Sequence, residues 1–186
     1  MKYPVINLIS NNQSKIQIAK RVFKKYNIKI IPMEKHFPEI QADTCLDIAK
    51  YAAVQNSKQL RKPVLREDHG LFFDKINIPG PYTSFFEKRI NAQSLLRILK
   101  ILKSTQGYFE VATVLALPTG KLFKHVFKVP MYFGKGVNTN GSTWNDFIHL
   151  FNEKKTISEY PEQERYSIWS IGFEKVAKDF VKSLTE

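Results

Sequence analysis

Two adjacent carboxylates, Glu67 and Asp68, lie between the apolar runs Pro63-Val64-Leu65 and Leu71-Phe72-Phe73. Acids at the end of a buried strand sit where open α/β sheets place their ligands. Paired carboxylates suit a hard divalent cation such as Mg²⁺, which takes oxygen ligands, and they suit a group that orients an attacking water. The same residues also fit a charged turn, with His69-Gly70 reversing the chain between two strands. A second cluster lies near the N-terminus. Ser10-Asn11-Asn12-Gln13-Ser14-Lys15 follows the apolar run Pro4 to Ile9. A strand, a turn of capping residues and a helix aim backbone N–H groups and the helix dipole at one point, a natural phosphate site to which Lys15 adds charge.

The elements that must position these residues follow from periodicity. Pro4 to Ile9 is a candidate buried strand, and Ile16, Ala19, Val22, Phe23 and Tyr26 carry helical spacing in a helix that Lys15 opens. Ile28 to Pro32 is a short strand. Thr44 and Asp47 have capping-box spacing and start a helix to about Leu60, with Ala49, Ala52, Ala53 and Leu60 on its inner face. Ile78-Pro79-Gly80-Pro81-Tyr82 is expected to be a rigid turn. Leu95 to Leu102 form a helix whose wide apolar face is expected to be buried. Gly107 to Leu117 and Leu122 to Phe133 read as a β-hairpin, with Pro130 suggesting an edge or a bulge. A closing helix carries the stripe Phe173, Val176, Ala177, Phe180, Val181 and Leu184.

Composition bounds the function. The chain has 186 residues, 43% of them hydrophobic, with 14 Phe and 8 Tyr, so a globular core is expected rather than disorder. One cysteine, Cys45, excludes an intramolecular disulfide and a cysteine-based metal cluster. No apolar segment approaches a membrane span and no signal-peptide run is seen, so a cytoplasmic location without membrane attachment is the expectation. The net charge of +12 favours a polyanionic partner such as a nucleotide; dispersed basic residues make nucleic acid the less favoured one.

In order, these stretches resemble the inosine triphosphate pyrophosphatase family of nucleotide hydrolases over nearly the whole chain. Ser10, Asn12 and Lys15 match its opening strand-[Thr/Ser]-x-Asn-x-x-Lys-helix, and Pro38-Glu39-Ile40-Gln41 matches its Pro-Glu-[Ile/Tyr]-Gln. Pro63 to Leu71 match its Pro-Val-[Leu/Ile]-x-Glu-Asp-[Ser/Thr]-Gly-Leu, with His69 as the exception, and Pro79 to Tyr82 match its Pro-Gly-x-Tyr. The second half departs. The Gly-[Phe/Tyr]-[Gly/Ala]-[Tyr/Trp]-Asp pattern becomes Ser142-Thr143-Trp144-Asn145-Asp146. The base-reading Ser-His-Arg falls on Trp169-Ser170-Ile171, or on Ser167-Ile168-Trp169 in a shifted register.

The resemblance implies an α/β fold, a two-lobed mixed β-sheet flanked by helices with the nucleotide in the cleft. The chain would be a single such domain, 1–186, in which the hairpin at about 107–133 could form a smaller lobe. It implies Mg²⁺-dependent (or Mn²⁺-dependent) hydrolysis of a non-standard purine nucleoside triphosphate to the monophosphate and pyrophosphate, in a homodimer. Glu39, Glu67 and Asp68 would form the metal site, with Glu67 and Asp68 catalytic and Asp68 orienting the water. Ser10, Asn11, Asn12, Gln13, Ser14 and Lys15 would face the phosphates. His69, Ser84, Trp144, Asp146, Arg165 and Trp169 complete the candidate substrate contacts, and the rewritten base-reading half implies altered base selectivity. The competing expectation is a non-catalytic nucleotide- or nucleic-acid-binding homologue that kept the fold.

Overall fold

The computed structural model describes residues 5–33, 40–137 and 143–185. Its elements follow the hydrophobic periods closely. Strand β1 (Val5–Ile9) leads to helix α1 (Gln13–Lys24), strand β2 (Lys29–Met33) and helix α2 (Cys45–Leu60). Strand β3 (Val64–Phe73) follows, then the two-residue strand β4 (Pro79–Gly80) and helices α3 (Thr83–Glu87) and α4 (Ala92–Ile101). The long strands β5 (Gln106–Ala116) and β6 (Leu122–Phe133) precede strand β7 (Ile148–Leu150) and helices α5 (Glu162–Trp169) and α6 (Ile171–Lys182). The strands make one mixed sheet in the order β2-β1-β3-β5-β6-β7, with β4 antiparallel to β3. The fold is α/β.

The chain divides into two compact units. The first holds residues 1–68, 111–127 and 166–186. Its parallel strands β2 and β1 pair from Val5↔Lys29 to Ile9↔Met33, and β1 pairs with β3 at Asn7↔Val64 and Leu8↔Leu65. Its core joins Leu8, Ile30 and Leu65 of these strands to Val22 and Phe23 of α1 and to Phe173, Val176 and Phe180 of α6. The expected faces of α1 and α6 are the buried ones. Gly172 shows how closely α6 packs: a Cβ there would lie 2.3 Å from Thr113 Oγ1. In α2, Ala49 and Ala53 are fully buried, but Cys45, Ile48, Asn56 and Ser57 complete the inner face while Ala52 and Leu60 sit at its margin.

The second unit holds residues 69–110 and 128–165. Phe133 is its aromatic centre, edge-to-face with Phe73 and Trp144 and stacked on Phe147. Three expectations can be compared with this unit. The wide face of α4 is not wholly buried: Ala92, Leu95 and Leu99 are inside, but Ile98, Ile101 and Leu102 are exposed. The expected turn at Pro79 to Tyr82 is present, closed by the Tyr82 N–H donating to the Pro79 carbonyl at 3.2 Å, and Pro79-Gly80 also pairs with β3. Pro130 lies on an interior strand, one residue before the β6–β7 register begins at Met131↔Leu150, and its carbonyl accepts from the Phe151 N–H at 2.9 Å.

Candidate active site

The acids sit in an unbroken strand. The expected reversal at His69-Gly70 does not occur, because β3 runs from Val64 to Phe73. Gly70 serves close approach instead: a Cβ at that position would lie 2.3 Å from the Gly80 carbonyl oxygen of β4. An unbroken strand has a consequence for the acids, since successive side chains point to opposite faces. Arg66 and Asp68 share one face, and Glu67 projects from the other, as Leu65 does into the α1–α6 core. Glu67 and Asp68 are therefore adjacent in sequence but not side by side in space.

Each acid has its own cation. Lys15 Nζ lies 2.7 Å from Glu67 Oε2 and donates more weakly to the Glu67 carbonyl at 3.5 Å. The pair is largely withdrawn from solvent, Glu67 being 4% exposed. On the other face Arg66 Nη2 stands 3.5 Å from Asp68 Oδ1, while Arg66 Nη1 donates to the Ile9 carbonyl at 3.2 Å. Arg66 thus ties the end of β1 to the half-buried Asp68. Its role was missed in the sequence, where it stands at a variable position of the motif. The available signal was the period of two that puts it on the face of Asp68.

The turn before α1 is built from its own side chains. Asn12 is the N-cap: its Oδ1 accepts from the N–H groups of Ser14 at 2.9 Å and Lys15 at 3.2 Å. Ser10 Oγ, buried beneath the turn, accepts from the Asn12 N–H at 3.1 Å. Capping satisfies donors that a helix start leaves open. The exposed residues Asn11 and Gln13 remain at the surface of the turn with the Asn12 amide and the Ser14 hydroxyl. A phosphate here would meet an ordered cap and the ammonium of Lys15, not a row of bare amides.

Glu39 lies outside the described residues. Among those described, no three His, Cys, Asp or Glu side chains converge to hold a metal ion. The donor chemistry nevertheless fits Mg²⁺, which is typically held by one or two carboxylates together with substrate phosphates. Asp68, half-buried, is the acid whose face is not the one neutralised by Lys15.

The remaining candidates divide between the units. In the first, Trp169 is half-buried against the core cluster. In the second, His69 meets Phe109 edge-on at 6.2 Å between ring centres. Ser84 on α3 and Arg165 on α5 are exposed, and Asp146 is half-buried in the 3-10 turn Trp144–Asp146. Trp144 is 2% exposed, and its indole N–H donates to the Ile90 carbonyl at 2.9 Å. The ring is a core residue and offers no open face to a base.

A model of the Ham1 family matches residues 6–178. The chain belongs to the Ham1 family. A dITP/XTP pyrophosphatase of Saccharolobus solfataricus is 31% identical over 190 residues, covering 97% of this chain and 95% of the relative. Another of that name, from Thermococcus kodakarensis, is 29% identical over 182 residues and covers 96% of each chain. Among solved structures, the Staphylococcus aureus Ham1 protein superposes with a TM-score of 0.76 at 19% identity, covering 97% of both chains. A Coxiella burnetii HAM1 protein gives 0.74 at 21% identity, covering 97% of this chain and 98% of that one. These two likenesses establish the Ham1 fold. Among the described residues, no helix of this Ham1 chain is long and apolar enough to cross a membrane.

Proposed function

We propose that this Ham1 chain hydrolyses purine nucleoside triphosphates, including non-standard ones, to the monophosphate and pyrophosphate, with Mg²⁺ as its metal and with relaxed selectivity for the base. The activity class, a nucleoside triphosphate pyrophosphatase, is supported by the family and by relatives named dITP/XTP pyrophosphatase that match over nearly their whole length. The observation that carries the mechanistic reading is the division of β3 into a Lys15–Glu67 face and an Arg66–Asp68 face.

The division separates two tasks. Asp68 orients the water and takes its proton as the oxygen attacks the α-phosphorus. The bond from that phosphorus to the bridging oxygen breaks, and pyrophosphate leaves with the electron pair. Arg66 fixes the Asp68 carboxylate. Glu67 holds the Lys15 ammonium at the start of α1, where its remaining N–H donors meet the phosphates beside the Ser10–Ser14 cap. Glu39 and Asp68 would hold Mg²⁺, with Glu67 behind Lys15, and the chemistry the ion would supply there is neutralisation of charge on the phosphate oxygens.

Selectivity for the base follows from what is missing. Trp169-Ser170-Ile171 stand where a Ser-His-Arg would read a keto purine. Ser170 is buried and Ile171 is apolar, so neither supplies a cationic donor. Sites that reject a ligand strongly do so through hydrogen bonds it cannot satisfy. A homodimer in the cytoplasm is the setting the family resemblance implies.

The test is kcat/KM for pyrophosphate release from dITP, XTP, GTP and ATP with Mg²⁺. Turnover of all four within roughly tenfold is expected. A steep preference for dITP and XTP would overturn the relaxed selectivity. Absence of turnover with Mg²⁺ or Mn²⁺ would overturn the enzyme reading.

A further inference from the structure

α4 leaves part of its apolar surface uncovered. Ala92, Leu95 and Leu99 are buried in the second unit. Ile98, Ile101 and Leu102 are 44%, 81% and 45% exposed. Positions 101 and 102 lie three and four residues after 98, so the three side chains share one side of the helix. Arg97 and Lys100 are exposed beside them, and the exposed Lys103 follows the C-cap Leu102. None of these three basic residues is ion-paired with another described residue. Between Glu87 and Glu110 the chain holds five basic residues, Lys88, Arg89, Arg97, Lys100 and Lys103, and no acid. The β3–β4 turn approaches the helix end, where the Lys75 N–H donates to Ser104 Oγ at 3.2 Å. It adds one acid, Asp74, and one base, Lys75, so the charge around the stripe stays positive.

We propose that this side of α4 adsorbs to the surface of an anionic lipid bilayer. An exposed aliphatic stripe bordered by basic residues on one helix is the pattern of an interfacial helix. Ile98, Ile101 and Leu102 enter the boundary between headgroups and acyl chains. The long side chains of Arg97, Lys100 and Lys103 reach back to the lipid phosphates. Other occupants fit less well. A two-fold contact with a second copy along this stripe would bring its basic residues against their own copies. A nucleic acid has no use for three aliphatic side chains, and α4 carries no aromatic ring to stack on bases. A protein groove that takes an amphipathic helix needs its main apolar face, which α4 has already given to the core. A bilayer needs only the outer side. Surface adsorption requires neither a spanning helix nor a signal peptide, and it is independent of the nucleotide reaction.

The probes are vesicles of phosphatidylcholine alone, or with phosphatidylserine at about one lipid in three. Co-sedimentation of the full chain should show saturable binding to the mixed vesicles, weakened by salt and weaker by roughly tenfold or more on phosphatidylcholine alone. Arg97→Gln/Lys100→Gln should weaken binding to the mixed vesicles roughly tenfold. Ile98→Asn/Ile101→Asn keeps every charge and should weaken it by a similar factor, with thermal melts as the folding control for both variants. Ile101→Trp should add a component to the parent's fluorescence that shifts to the blue on the mixed vesicles. The proposal is overturned by absence of binding to the mixed vesicles, or by Ile101→Trp fluorescence that does not shift. It is overturned by undiminished binding of Ile98→Asn/Ile101→Asn, which would mean adsorption through the net charge of +12 alone. Tighter binding to poly-glutamate, weakened by the same substitutions, would assign this side of α4 to an acidic protein and overturn it as well.

Discussion

Lys15 Nζ is held 2.7 Å from Glu67 Oε2, joining the first turn of α1 to β3 across 52 residues of chain. The carboxylate is buried, so the ion pair has a structural part beside the role proposed for it. Removing one partner from a buried pair strands the other, at a cost of about 3 kcal/mol, whereas replacing both with apolar groups can be close to neutral. Lys15→Met should therefore lose about that much stability, and Lys15→Met/Glu67→Leu should regain most of it. Urea unfolding of the single and double variants measures the coupling. Strict additivity of the two losses would show that the pair contributes nothing as a pair.

Asp68 is the residue proposed to orient the water. Asp68→Asn keeps the shape and removes the negative charge from the Arg66 face. It should reduce kcat by roughly 10²-fold or more while changing stability by less than about 1 kcal/mol. Steady-state kinetics beside a thermal melt separates the two effects. A variant that is inactive only because it is unfolded, or one that turns over normally, would contradict the assignment.

Gly70 tests the unbroken strand. Its missing Cβ makes room for the Gly80 carbonyl, since a Cβ would sit 2.3 Å away. Gly70→Ala must push β4 from β3 and should cost about 1–3 kcal/mol, as overpacking does. An equilibrium unfolding curve for this variant that overlays the parent's would mean that β4 does not press on Gly70.

Tyr160 gives the fold a limit at high pH. Burial pushes its phenol up to about 12, helped by the neighbouring Glu153 carboxylate. The folded value lies above the ordinary one near 10. The folded state therefore keeps its proton where the unfolded state loses it, and stability falls as pH rises from about 10 to 12. The loss is on the order of 2–3 kcal/mol, complete above the upper value. Denaturant titrations in that window should show it, and Tyr160→Phe should flatten that part of the curve. An unchanged slope in Tyr160→Phe would assign the loss to other groups.

Much of this was legible in the sequence, for identifiable reasons. The buried faces of α1 and α6 could be read because each helix packs one stripe on a sheet. Thr44 accepts from the Asp47 amide as its capping-box spacing implied, whereas the run Ser10 to Ser14 did not single out Asn12 as the cap of α1. What escaped depended on contacts distant in sequence. His69-Gly70 looked like a turn because the alternative use of glycine, room for Gly80, is invisible until β4 is placed. Glu67 and Asp68 looked like one paired site because adjacency in sequence hides the alternation of a strand. The same oversight concealed Arg66. Trp144 could not be assigned from its type alone; its 3-10 turn buries the ring beside Phe133.

The claim that water attacks the α-phosphorus is tested most directly by product analysis in heavy-oxygen water. A single turnover of dITP with Mg²⁺ should release unlabelled pyrophosphate and a monophosphate carrying the heavy oxygen. Label in the pyrophosphate, or release of orthophosphate in place of pyrophosphate, would contradict it.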